Sequence, residues 1–115
     1  MKLHHIGIAC HQISEIQTLL KELFDVQFES QGSVDAQAVN VAFTTPLDQC
    51  RIELIEATSD RHPIFPILNH PIKNFLDTKG QGIQHICFQV DDLHQTLERL
   101  KAKGIKSLFG IVEGY

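Results

Sequence analysis

Apolar and β-branched residues dominate positions 3–10, which predicts a strand. Ile13, Ile16, Leu19, Leu20, Leu23 and Phe24 then recur at helical spacing, so residues 12–24 are expected to form an amphipathic helix. A short strand is predicted over 26–30 and a polar, glycine-containing turn over 31–35. Residues 39–44 and 51–56 read as two further strands joined by a tight connection around Pro46 and Asp48. The first half is therefore expected to be β-α-β-β-β.

Between residues 58 and 82 the composition shifts to Ser, Asp, His, Pro and Gly, with Pro63, Pro66 and Pro71 close together. That stretch reads as a linker holding one or two helical turns around 71–76. A strand over 83–90 and a helix over 91–103 follow, with Leu93, Leu97 and Leu100 inward and Gly104 as the helix stop. The two halves align at one offset of 80 residues: His5-Ile6 falls on His85-Ile86, Ile13 on Leu93, and Leu20-Lys21 on Leu100-Lys101. A strand-helix unit repeated at fixed offset marks an internal duplication. The expected organisation is one α+β domain over 1–115: a βαβββ module at 1–57, the linker 58–82, and a partial second module at 83–115. A mixed sheet curved around a cavity, with helices outside, follows from it. A complete second module would run to about position 136, so the chain looks cut short, as a fragment, an altered ending or a chain completed by another copy.

Composition narrows the function classes. At 115 residues there is room for one hydrophobic core. A net charge of −4 offers no basic stripe for nucleic acid. The one cationic cluster, Arg99 to Lys106, suits the last turn of a helix, or alternatively a phosphate contact. No apolar run approaches the roughly 20 residues of a membrane span, and no signal peptide is evident, so a cytoplasmic protein is expected. Cys10, Cys50 and Cys87 have neither disulfide nor zinc-knuckle spacing and read as free thiols.

Seven histidines carry the chemistry. By strand parity His5, Gly7 and Ala9 share one face of the first strand, and His85, Cys87 and Gln89 one face of the fifth. On the fourth strand Glu53 sits mid-strand among apolar residues, where burial without a partner costs several kcal/mol. One arrangement accounts for all three: His5, Glu53 and His85 converge on a divalent cation, with N and O donors suited to Co, Mn, Ni, Zn or Fe. The alternative for Glu53 is a bridge to Arg51 at the rim. His4, His11 and His94 lack parity support and read as surface residues; His62 and His70 read as exposed loop residues; Cys87 reads as an apolar filler.

The segments LHHIGIACHQISEI, RIELIEATSD and GQGIQHICFQVDDL resemble the methylmalonyl-CoA epimerases of the vicinal-oxygen-chelate (glyoxalase/bleomycin resistance/dioxygenase) superfamily, from Leu3 to about Ile105. The resemblance places family metal ligands on His5, Glu53 and His85, with Gln84 replacing the family's neighbouring histidine. It implies a fourth, glutamate ligand at about position 133; Glu113 is too early for it. It implies an isomerase that epimerises an acyl-CoA by 1,1-proton transfer through a metal-stabilised enolate. No second base is evident at Ala38, Val39, Asn40, Val41 or Ala42, so the catalytic residues stay unassigned and no organic cofactor is expected. Three alternatives remain. A glyoxalase has shorter spacing than the 32 residues between Glu53 and His85. An extradiol dioxygenase leaves Glu53 unexplained. A non-catalytic small-molecule-binding module needs neither the fourth ligand nor a base. The resemblance and an open sheet edge together imply a homodimer.

Overall fold

The computed structural model describes residues 1–58 and 70–105. Strand β1 (Lys2–Ala9) leads into helix α1 (Ile13–Phe24), followed by β2 (Phe28–Val34), a 3₁₀ turn (Asp35–Gln37), β3 (Val39–Thr44) and β4 (Arg51–Ala57). Helix α2 (Pro71–Lys79), β5 (Gly82–Gln89) and α3 (Leu93–Ala102) complete the described chain. The five strands form one mixed, curved but unclosed sheet in the order β2-β3-β4-β1-β5. β1 runs parallel to β4 and antiparallel to β5; the other neighbours are antiparallel. The α+β class and the β-α-β-β-β order of the first half are as the apolar pattern predicts.

The expected turn over 31–35 is mostly strand. Gln31 to Val34 pair one for one with Ala42 to Val39, and the chain reverses afterwards, in the 3₁₀ turn. Ala38 closes that turn in the left-handed region at φ 53°, its N–H donating to the Asp35 carbonyl at 3.1 Å. Polar composition misleads here because β2 is an outer strand with nearly all its side chains exposed. Such a strand needs no apolar face.

Helix α1 starts without a side-chain cap of its own, at Gln12. Glu56 of β4 substitutes: its Oε2 accepts from the Ile13 N–H at 3.1 Å, while Asn40 Nδ2 donates to its Oε1 at 3.3 Å. A carboxylate at a helix N-terminus also meets the positive end of the dipole. At the other end Asp25, at φ 55°, and Val26 donate their N–H groups to the Lys21 and Leu20 carbonyls, which stops the helix.

Each face of the sheet has its own core. Cys10, Ile13, Ala42 and Leu54, with Ile8, Ile16, Leu20, Phe28 and Ile52, join α1 to one face. On the other, Ala9, Val39 and Ile55 pack against Ile72, Leu76 and Phe75 of α2. Parity places His5 and Glu53 on this second face, so α2 walls one end of it. The one or two turns expected at 71–76 are thus a nine-residue helix. Pro71 opens it, where the missing N–H costs nothing, and the His70 Nδ1 caps it by accepting from the Lys73 N–H at 3.2 Å.

His70 corrects one expectation. It is 1% exposed, and its Nε2 donates to the Ala38 carbonyl at 3.0 Å, tying α2 to the β3 turn. It is a buried structural residue. His62 and Glu113 lie outside the described residues.

The duplication appears as a local two-fold. β1 and β5 pair with Ile6 directly opposite Ile86, and His5–Cys87 and Gly7–His85 flank that pair symmetrically. The offset of 80 residues maps each flanking pair onto the other. Asp92 caps α3 by accepting from the Gln95 N–H at 2.9 Å, and Gly104, at φ 81°, follows its end as expected. The second half is less covered than the first: Ile86 and Phe88, which correspond to buried or half-buried positions of β1, are 54% and 51% exposed. Among the described residues β5 is an outer strand, and α3 has no buried residue.

Cys10 sits under α1 with no exposure, its Sγ donating to the Ile55 carbonyl at 3.6 Å. Burial, helped by the Glu56 carboxylate, pushes its thiol up from 9.0 to about 11. Because the folded value is the higher, the native state keeps a proton that the unfolded chain loses. This contribution is intact below pH 9 and disappears as pH rises through 11, up to about 3 kcal/mol in all. Denaturant unfolding of the native chain should weaken over that alkaline window more than unfolding of Cys10→Ala, and thiol reagents should modify Cys50 and Cys87 before Cys10. Equal alkaline profiles for the two chains would contradict the assignment.

Candidate metal centre

Three strands deliver the cluster. His5 comes from β1, Glu53 from β4 and His85 from β5, and the three offer donor atoms within 4.8 Å of one another. Glu53 Oε1 is 3.1 Å from His85 Nε2 and 3.6 Å from His5 Nε2, and the two Nε2 atoms are 3.2 Å apart. His5 is fully buried and Glu53 is 5% exposed, whereas the His85 side chain is 33% exposed. The cluster therefore opens to solvent on the β5 side. The structure brings together all three residues that the sequence singles out.

The spacings suit a shared cation. Donors at about 2.1 Å from one ion, at tetrahedral or octahedral angles, lie about 3.0–3.4 Å from each other. Two imidazole nitrogens and one carboxylate oxygen are a common donor set for first-row divalent ions. Burial pushes the His5 imidazole below its usual value, the Glu53 carboxylate opposes this, and His85 and His4 reinforce it. A neutral ring at physiological pH is the ligating form.

Gly7 makes the cluster possible. It lies opposite His85 across the β1–β5 ladder, and a Cβ there would overlap the His85 ring. The ring uses that gap to lean over β1 toward His5. Phe43, opposite Glu53 on β3, presses edge-on against the His5 ring with centroids 5.3 Å apart and supplies an apolar wall.

Arg51 does not take Glu53; it pairs with Glu29 of β2. That leaves Glu53 to the histidines. His11 and His94 are exposed, as expected. His4 is not a surface residue: it is half-buried, with Nδ1 2.8 Å from His5 Nδ1. Parity reasoning places it on the wrong face because the β1–β5 register slips between Leu3 and His5. Gln84, which the resemblance marks only as a replacement for a neighbouring histidine, has its Oε1 2.5 Å from His85 Nδ1. The signal that would have found both was the duplication itself, which pairs His4 with Gln84.

His4, His5 and Cys87 form a second set of possible donors within 4.8 Å. It is the weaker one. Burial and the nearby Glu53 carboxylate push the Cys87 thiol up, which disfavours the thiolate that binds metal.

The fold has known counterparts. The chain belongs to the Glyoxalase/Bleomycin resistance protein/Dioxygenase superfamily, matching it over residues 4–114. Uncharacterized protein YqjC of Bacillus subtilis is 31% identical over 105 residues, covering 91% of this chain and 69% of that protein. The mitochondrial methylmalonyl-CoA epimerase of Dictyostelium discoideum is 30% identical over 106 residues, covering 91% of this chain. The chain spans 58% of that epimerase's length. In fold it superposes on a Streptomyces coelicolor methylmalonyl-CoA epimerase variant in complex with 2-nitronate-propionyl-CoA, with TM-score 0.82. That likeness covers 95% of this chain and 76% of the other, at 21% identity.

The Gly7 gap generates a sharp expectation. Gly7→Ala must swing the His85 ring away or part β1 from β5, at a cost of about 1–3 kcal/mol. Its melting temperature should fall, and any cation affinity of the native chain should fall at least about tenfold. A Gly7→Ala chain that melts and binds like the native one would show that the ring does not need the space.

Proposed function

We propose that the chain binds a divalent first-row cation through His5 Nε2, Glu53 Oε1 and His85 Nε2, and that it acts on an acyl-CoA by 1,1-proton transfer, as a methylmalonyl-CoA epimerase does. The observation that carries the reading is the convergence of those three donors from three strands, at 3.1 to 3.6 Å, in a family with epimerase relatives. Cobalt, manganese, nickel, zinc and iron all accept such donors.

Bound there, the cation supplies Lewis acidity toward the oxygens of a malonyl-type thioester, which makes the α proton removable. The chain's own residues set the conditions. Two neutral imidazoles and one carboxylate leave a divalent centre with one net positive charge, which favours an anionic substrate. Phe43 and the buried flank of His5 keep water from the inner side, where electrostatic attraction is strongest. The half-exposed side of His85 gives substrate its approach. No residue of this chain is assigned as the proton-transfer base.

Residues 1–57 and 83–115 are read as the two modules of one domain, working in the cytoplasm; among the described residues no helix is long and apolar enough to cross a membrane. We read the working form as a homodimer. Among the described residues β5 pairs with β1 alone, and Ile83, Ile86 and Phe88 are exposed on it. An apolar outer strand of this kind is a template for another chain.

Two measurements test these readings. Incubated in D₂O with cobalt or manganese, the chain should interconvert the epimers of methylmalonyl-CoA and place deuterium at the α carbon. Cation bound with no label above the protein-free rate would overturn the epimerase reading and leave a binding module. Light scattering should give twice the chain mass; a monomer at micromolar concentration would overturn the dimer.

A further inference from the structure

Each inward histidine has a neighbour against the far nitrogen of its ring. His4 Nδ1 lies 2.8 Å from His5 Nδ1, and Gln84 Oε1 lies 2.5 Å from His85 Nδ1. His4 and Gln84 are themselves mates at the offset of 80 residues. In a regular strand, consecutive side chains point to opposite faces, so a residue does not lie beside the ring that follows it. The ladder departs from regularity at these two places. Pairing steps from Leu3–Phe88 to His5–Cys87, which leaves His4 as an extra residue on β1. It steps again from Gly7–His85 to Ile8–Ile83, which leaves Gln84 extra on β5. The two-fold through Ile6 and Ile86 maps one bulge onto the other. Bulges re-aim side chains beside functional sites, and here each brings one polar group against the Nδ1 of a candidate ligand.

We propose that His4 and Gln84 are a matched pair of positioning residues, set by twin bulges, that fix His5 and His85 with Nε2 turned to the cation. The inference rests on the metal-centre reading above. Its chemistry is the tautomer. An amide oxygen only accepts, so His85 carries its proton on Nδ1 and keeps the Nε2 lone pair for the cluster. His4 does the same with an imidazole: its Nδ1 accepts from the His5 Nδ1–H, its own proton sitting on Nε2. A donor held in this way needs no reorientation when the ion arrives, and such outer partners set affinity as well as geometry. An imidazole and an amide perform one task at related positions, so each is replaceable by a side chain with an acceptor at similar reach.

The test is cation affinity, read by chelator competition with cobalt or zinc on the full chain. His4→Phe and Gln84→Leu should each bind about tenfold or more weakly, while His4→Gln and Gln84→Glu stay within about threefold of the native chain. In the zinc-loaded native chain the Nδ1–H protons of His5 and His85 should exchange slowly with solvent, and each should exchange faster in the corresponding apolar variant. His5→Ala serves as the reference for loss of a ligand. Native affinity in both His4→Phe and Gln84→Leu overturns the positioning pair but leaves the metal centre standing. So does a His4→Gln that falls as far as His4→Phe, the result expected if His4 were itself a ligand beside Cys87. A native chain that takes up no cation, or a His5→Ala chain that binds normally, overturns the metal centre and this inference with it. Metal-free melting curves identify a variant that fails to fold, and the change at the other bulge then decides alone.

Discussion

Antiparallel pairing of β1 with β5 about Ile6 and Ile86 is the constraint on which the site depends. Two strands related by duplication meet edge to edge, and the two-fold between them places like residues close together. His5 and His85 are far apart in sequence yet lie on either side of one ladder, each a single step from the axis. Parallel pairing of β1 with β4 then sets Gly7 beside Glu53, so the carboxylate arrives next to the space the His85 ring occupies. Shifting β5 by one residue would turn His85 to the opposite face and leave Glu53 buried beside one imidazole.

Strand β4 shows how the same alternation serves two purposes. Glu53 points to the cluster, and Glu56, on the opposite face, caps α1. Both are acidic residues flanked by the apolar Ile52, Leu54 and Ile55, and each has a partner that offsets the cost of leaving water. The helix cap also fixes where α1 begins, hence how Ile13 seats against Cys10 and Leu54. The rigid face under α1 and the polar face carrying the site are thus built from alternate residues of the same strands. His70 extends this economy to α2, holding the helix against the β3 turn so that Ile72 and Leu76 close one end of the site face.

Much of this was legible because it depends on period and offset. Alternation identified the faces, the helical repeat identified α1 and α3, and the offset identified the paired histidines. What escaped is what breaks periodicity. The pattern hides the end of β2 because an outer strand has no apolar face to declare itself. The linker composition makes His70 look like a loop residue because its burial comes from packing against the β3 turn, where its Nε2 donates to the Ala38 carbonyl 32 residues away. Parity puts His4 at the surface, and a single bulged residue invalidates that rule. Bulges leave almost no mark in a lone sequence, whereas the offset of 80 residues repeats them and links His4 to Gln84. Parity places Gly7 on the face of His5, but nothing in the pattern marks its missing Cβ as the space for the His85 ring.

The cluster also bears on how the two halves hold together. His5 and Glu53 come from the first half of the chain and His85 from the second, and among the described residues β5 adjoins the rest of the sheet only through β1. The first half has its core under α1, while Ile86 and Phe88 on β5 remain half exposed. Apolar burial therefore holds the second half less firmly than the first. On the proposed reading, a cation bridging the three donors fastens the weaker half to the stronger one, and its binding free energy adds to the stability of the β1–β5 pairing by linkage. The same junction would then govern both folding and chemistry, because whatever loosens β5 removes one ligand from the other two.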